Sequence, residues 1–112
     1  MKNRKLPKTV PEALTFIEKA IGKRDKNYIR KLKKNDLYEL HMTLGMWIRN
    51  NLGMWGVKNN LELMVDILRL DSGSPRKPIP ENLVMNFHPD NASHVLIEEL
   101  WKKLRRKNGS KK

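Results

Sequence analysis

Between Asn35 and Gly53 apolar residues recur every three or four positions, and this stretch constrains the chain more than any other. On a wheel of about 100° per residue, Leu37, Leu40, His41, Leu44, Trp47, Ile48, Asn51 and Leu52 share one broad face. The pattern predicts the longest helix of the fold, begun at Asn35 or Asp36 and stopped at Gly53, where a helix end favours glycine. Gly45 interrupts it between the core face and the flank carrying Arg49. Glycine costs a helix interior roughly 1 kcal/mol relative to alanine, so its presence here argues for close approach of another backbone. Gly53-Met54-Trp55-Gly56 then reads as a tight turn with Trp55 folded back as a plug.

Shorter helices flank this one. Thr9 and Glu12 have capping-box spacing, Leu14, Ile17 and Ile21 follow on one face, and Gly22 supplies a stop. Phe16 lies off that stripe and should touch a second neighbour. Asp25 is placed to cap a second helix with Tyr28, Ile29 and Leu32 as its apolar residues. Asn59 and Glu62 repeat the capping-box spacing before a fourth helix, residues 60–70, whose two apolar faces predict a sandwiched position. Residues 71–80 carry three prolines and read as a loop, and Glu81 to Phe87 as a short helical turn. His88-Pro89-Asp90 then opens a last helix with proline in its first turn and Asp90 capping it or complementing its dipole. Leu96, Ile97, Leu100 and Leu104 point inward on it, with Ala92 and Trp101 at the edges. With no repeat, heptad or alternating pattern, the expectation is all-α: one compact bundle of about five helices around the third, spanning 9–107, between disordered basic arms at 1–8 and 108–112.

Charge bears on partners. The chain carries 24 Lys+Arg against 12 Asp+Glu, net +12. Residues 1–34 hold +9, residues 35–100 hold −4 and residues 101–112 hold +7, so a mildly acidic body lies between two basic ends. Lys23, Lys26, Arg30, Lys33 and Lys34 form a stripe beside the apolar face of the second helix. Arg76 and Lys77 in the loop, and Lys102, Arg105 and Arg106 on the last helix, complete the candidate phosphate-contacting set. Such a field suits nucleic acid or an acidic protein surface. Tyr28 and Tyr38 are the only plausible stackers near the stripe, which disfavours single-strand stacking. Without cysteine there is no disulfide, thiolate metal site or cysteine nucleophile, and a reducing, cytoplasmic setting fits. No apolar run follows the basic N-terminus as a secretion signal requires, and none is long enough to span a membrane.

Chemistry rests on His41, Arg49, Asn51, His88, Asp90 and Ser93. If the start of the last helix packs against the middle of the third, Arg49 and Asp90 form a charge-assisted pair that His41 or His88 joins. That group reads as a structural polar network fixing the register of the bundle. The competing reading makes His88, Asp90 and Arg49 weak catalytic candidates for acid–base work in a small hydrolase or transferase. No metal-ligand spacing, Gly-rich phosphate loop or usable carboxylate pair is present, so no metal, cofactor or small-molecule substrate is expected. Adjacent Glu98 and Glu99 point about 100° apart on a helix.

Two resemblances bear on this. His88-Pro89-Asp90 resembles the J-domain co-chaperone signature, but over three residues only and without the basic helix that precedes it there, since residues 80–86 carry no basic side chain. Leu44-Gly45-Met46-Trp47-Ile48-Arg49-Asn50-Asn51 with Met54-Trp55, His88-Pro89-Asp90-Asn91-Ala92-Ser93 and Leu100-Trp101 resembles an uncharacterised family of small bacterial and phage helical proteins. That family's pattern is Gly-x-Trp-Ile-Arg-Asn-Asn-x-x-Leu-Trp followed by Asp-Asp-Ala-Ser, and the likeness covers roughly 9–104. This chain has Met54 for the leucine and Asn91 for the second aspartate, which weakens any acid–base role there. The resemblance implies a shared fold and a shared Arg49/Asp90 neighbourhood, and no activity. The leading expectation is a non-enzymatic, nucleic-acid-associated protein; the alternatives are a phage or mobile-element regulator that binds a host protein through its basic surface, and the small hydrolase or transferase.

Overall fold

A computed structural model describes residues 6–54, 60–72 and 88–109. Among these the chain is all-α: α1 (Val10–Ala20), α2 (Lys23–Lys31), a composite helix ending in α3 (Met46–Asn51), α4 (Leu61–Ser72) and α5 (Pro89–Gly109), with no strand. The Trp55 plug, the Asn59 cap, the loop from 73 to 80 with Arg76 and Lys77, the turn at 81–87 and the chain ends at 1–5 and 110–112 lie outside the described residues.

Helix α5 is the longest element, a correction to the sequence-based expectation for the third helix, and it packs against α1, α2, α3 and α4. Its face of Ala92, Leu96, Ile97, Leu100 and Leu104 is buried, and each fully buried leucine or isoleucine contributes about 1.5–3 kcal/mol. Helix α5 continues through Asn108 and Gly109, and at the other end of the described chain Pro7 is buried. The Pro7 carbonyl accepts a hydrogen bond from Asn60 Nδ2 at 3.0 Å.

The stretch from 34 to 51 is not one regular helix. Residues Lys34–Leu40 wind as a 3₁₀-helix, His41–Gly45 form a π-helical turn, and only Met46–Asn51 are α-helical. Changing from the tight 3₁₀ winding to the wide π turn shifts the register of side chains, so a single wheel misplaces them. Leu37, Leu40, Ile48 and Leu52 are buried as expected, whereas Trp47 and Asn51 are only partly covered and Arg49 is buried. Trp47 lies beside Phe16 of α1, ring centroids 6.0 Å apart. The stop at Gly53 is a Schellman motif: Gly53 has φ 71°, Met54 N–H donates to the Arg49 carbonyl at 3.2 Å, and the Met54 side chain is fully buried.

The helix starts differ in detail from the sequence expectations. Thr9 Oγ1 accepts from Glu12 N–H at 3.3 Å, but the Glu12 carboxylate accepts from Lys8 N–H instead of closing a box on Thr9. The α1 amide of Val10 is held by Asp66 of α4, whose Oδ2 accepts it at 2.7 Å. Gly22 ends nothing; it is the N-cap of α2, and Asp25 falls inside the first turn. Helix α4 reaches Ser72, and Leu61 and Leu70 are exposed because its buried stripe is Leu63, Met64 and Ile67.

Candidate functional site

Two clusters position charged side chains. The first is built around Arg49, which is 3% exposed. Its Nη1 donates to Ser93 Oγ at 2.9 Å and its Nη2 to the His41 carbonyl at 3.3 Å, so the guanidinium joins the π turn, α3 and α5. Space for it comes from Gly45: a Cβ there would lie 3.1 Å from Arg49 Nη1 and 3.6 Å from Ile97 Cδ1. The glycine therefore admits the arginine side chain and α5, and the backbone that comes close is the Leu40 carbonyl oxygen of the preceding 3₁₀ segment, 3.4 Å from that Cβ.

Asp90 sits in the first turn of α5, favourable for a carboxylate at a helix N-terminus. Its Oδ1 is 3.4 Å from Arg49 Nε, longer than the about 2.7–2.9 Å of a charge-assisted hydrogen bond. Asp90 is 42% exposed and acts as a loose counter-charge, while Ser93 makes the short contact. His41 Nε2 and His88 Nδ1 each lie 3.8 Å from Asp90 Oδ2. His88 Nδ1 is better described by its shorter contact, accepting the Asp90 backbone N–H at 3.0 Å, so His88 caps α5. Ser93 Oγ in turn donates to the Asp90 carbonyl at 3.0 Å. Asn51 belongs elsewhere, with Nδ2 donating to the Trp47 carbonyl at 2.8 Å.

Above this network a pocket of about 550 Å³ is lined by Tyr38, His41, Asp90, Asn91 and His94, with Leu68 and Val95 as apolar wall. Tyr38 stacks on His41 with centroids 5.6 Å apart and an 11° tilt, and meets His94 edge-on at 6.1 Å. Among the described residues no group of three His, Asp or Glu side chains converges on a point where a metal ion could sit. With its hydrogen bonds turned inward, the Arg49 guanidinium fixes the placement of α5, while His41 and Asp90 at the edge of the group line the pocket.

The second cluster is a basic face. Trp101 Nε1 of α5 donates to the Leu32 carbonyl at the end of α2 at 2.9 Å, and Arg105 Nη1 donates to the Arg30 carbonyl at 3.1 Å. These bonds satisfy carbonyls that α2 leaves open at its C-terminus. They also bring the basic turns of α5 beside Arg30, Lys31, Lys33 and Lys34. Lys34 pairs with Glu98 at 3.4 Å, and Lys102 lies 3.4 Å from Glu99 and 3.8 Å from Glu98. Arg30 hydrogen-bonds the Asn27 side chain. Lys31, Lys33 and Arg106 stand exposed on this face, while Lys23 is exposed and Lys26 half-buried on the first turns of α2. Lys103 turns away to pair with buried Glu18 of α1 at 2.6 Å. Neither the Trp101 nor the Arg105 contact has a signal in the sequence, because each joins side chain to backbone across about two thirds of the chain.

Among the described residues no helix is long and apolar enough to cross a membrane. Residues 6–69 match the sequence profile of the family described as "Domain of unknown function (DUF6794)", and the chain belongs to that family. The match includes Arg49 and ends before α5, so Asp90, Ser93 and Trp101 fall beyond it. No curated protein and no solved structure matches the chain.

Proposed function

We propose that this DUF6794 member is a non-enzymatic binding protein that holds nucleic-acid phosphates on the face made by α2 and the C-terminal half of α5. The observation that carries the reading is the pair of bonds from Trp101 to Leu32 and from Arg105 to Arg30, which place the two basic regions side by side. A surface of this kind gains affinity by releasing condensed counterions, and reads little sequence. Lys34 and Lys102 are exposed while their partners Glu98 and Glu99 are largely covered, so a phosphate would meet the outer side of these ammonium groups with the salt bridges kept. The Arg49 network serves this function indirectly by fixing α5, and no catalytic step is assigned to His41, His88 or Asp90.

Anisotropy titrations of labelled duplex DNA, single-stranded DNA and RNA at two or more salt concentrations test the reading. Expected is binding whose log K falls with log salt at a slope of about −4 if some five phosphates are contacted. Failure to bind any of the three at low salt overturns it. A single protein captured stoichiometrically after nuclease treatment, with no nucleic-acid affinity, would move the reading to an acidic protein partner.

A further inference from the structure

The basic face is not uniformly cationic. The guanidinium of Arg105 lies over the Trp101 ring, 5.0 Å from its centroid, and the ring itself is held by its bond to Leu32. The bond from Arg105 to the Arg30 carbonyl fixes the guanidinium from a second side. Arg105 is exposed, so a guanidinium held by these two contacts is open to solvent. A shallow recess of about 330 Å³ adjoins it, lined by Trp101, Lys102, Arg105 and Arg106, with Lys102 also paired to Glu99 and Glu98 beside it. One anchored planar cation on an indole, with further cations around it, suits a flat π-face attached to a phosphate. An unpaired nucleotide has that chemistry; a duplex, whose bases are stacked internally, offers only its phosphates. Guanidinium planes and aromatic rings both serve as platforms for unstacked bases.

Resting on the reading of this face as phosphate-binding, we propose that its partner is single-stranded nucleic acid and that one unpaired base stacks on Arg105, with Lys102 and Arg106 contacting the flanking phosphates. Sequence reading disfavoured stacking because it saw only Tyr28 and Tyr38 near the stripe. Folding supplies Trp101 and Arg105 instead, from the far end of the chain.

The test compares a single-stranded oligonucleotide, a duplex of equal length and inorganic polyphosphate at one salt concentration, using the full chain and two variants. Arg105→Lys keeps the charge and loses the plane; Lys33→Gln removes a charge from the same face and leaves the ring and the guanidinium in place, and circular dichroism melts check that both fold. Expected is a preference of the wild type for the single strand. Arg105→Lys should lower single-strand affinity about tenfold more than duplex affinity, the size of one lost base stack, while Lys33→Gln lowers both alike. Should Arg105→Lys fail to fold, quenching of tryptophan fluorescence by the single strand but not by polyphosphate carries the test. Equal binding of all three ligands overturns the stacking proposal and leaves the phosphate reading standing. Absence of binding to any of them overturns both.

Discussion

Arg49 Nη1 donates to Ser93 Oγ at 2.9 Å, and both side chains are buried, Ser93 completely. The bond spans 44 residues and joins the third helical segment to α5. Removing one member of a buried, hydrogen-bonded charge site leaves the rest unsatisfied, so the members should differ in cost. Arg49→Gln is expected to destabilise the fold by about 3 kcal/mol, and Ser93→Ala by about 1–2 kcal/mol. Asp90→Asn, at the exposed edge, should cost at most about 1 kcal/mol. Urea unfolding midpoints check the ranking; an Asp90 effect equal to that of Arg49 would make the carboxylate the principal partner.

Gly45→Ala places a methyl group 3.1 Å from Arg49 Nη1 and 3.4 Å from the Leu40 carbonyl oxygen. Helix propensity favours alanine by roughly 1 kcal/mol, yet the guanidinium is held on two sides and cannot withdraw without losing bonds. The substitution should therefore destabilise the wild type and stabilise an Arg49→Gln background. A double-mutant cycle in urea reads the change of sign, and additivity within about 0.5 kcal/mol would show that the two positions do not interact.

Asp66→Ala removes the acceptor of the Val10 amide. An N-cap acceptor is worth about 1 kcal/mol, and that loss is expected in thermal or chemical unfolding. Asp66→Asn, which retains an acceptor oxygen, should recover most of it. Hydrogen exchange at Val10 locates the effect: the amide should exchange faster in the alanine variant and near the wild-type rate in the asparagine one.

Tyr28 donates its hydroxyl to Glu39, and this hydrogen bond, followed by the nearby Glu39 charge, raises the phenol above its ordinary value of 10.0. The raised group favours folding while it is protonated. That contribution is complete below pH 10 and disappears as pH rises through the folded-state value. In a Tyr38→Phe background Tyr28 is the sole tyrosine, and its ultraviolet titration should lie above 10 and fall on Glu39→Ala. An unchanged titration would mean the hydroxyl does not hold the carboxylate in solution.

What the sequence made legible was local. The Thr9 cap, the Gly53 stop and the inward face of Leu96, Ile97, Leu100 and Leu104 follow from spacing and backbone chemistry within one element. What it hid was tertiary. Asp66 lies inside the fourth helix and caps another one; Asn60 looked like a helix start and ties Pro7 to Leu52. Arg49 was placed on a flank because a regular wheel cannot represent a 3₁₀ segment running into a π turn. Polar side chains bonded to distant backbone leave no periodic trace, so the basic face was visible as two charged segments and not as one surface.

The π turn at His41–Gly45 also sets how the chain tolerates changes of length. A π turn accommodates one more residue than an α-helical path between the same ends would need. Deleting one of those five residues would therefore let an α-helical path join the same ends and keep Arg49 directed at Ser93, whereas inserting a further residue would rotate everything beyond it by about 100° and carry Arg49 away. In a library of single-residue insertions and deletions, this helical interior should accept a one-residue deletion and reject an insertion. A change at the exposed junction around Gly22, where a Cβ meets nothing within 4 Å, should pass.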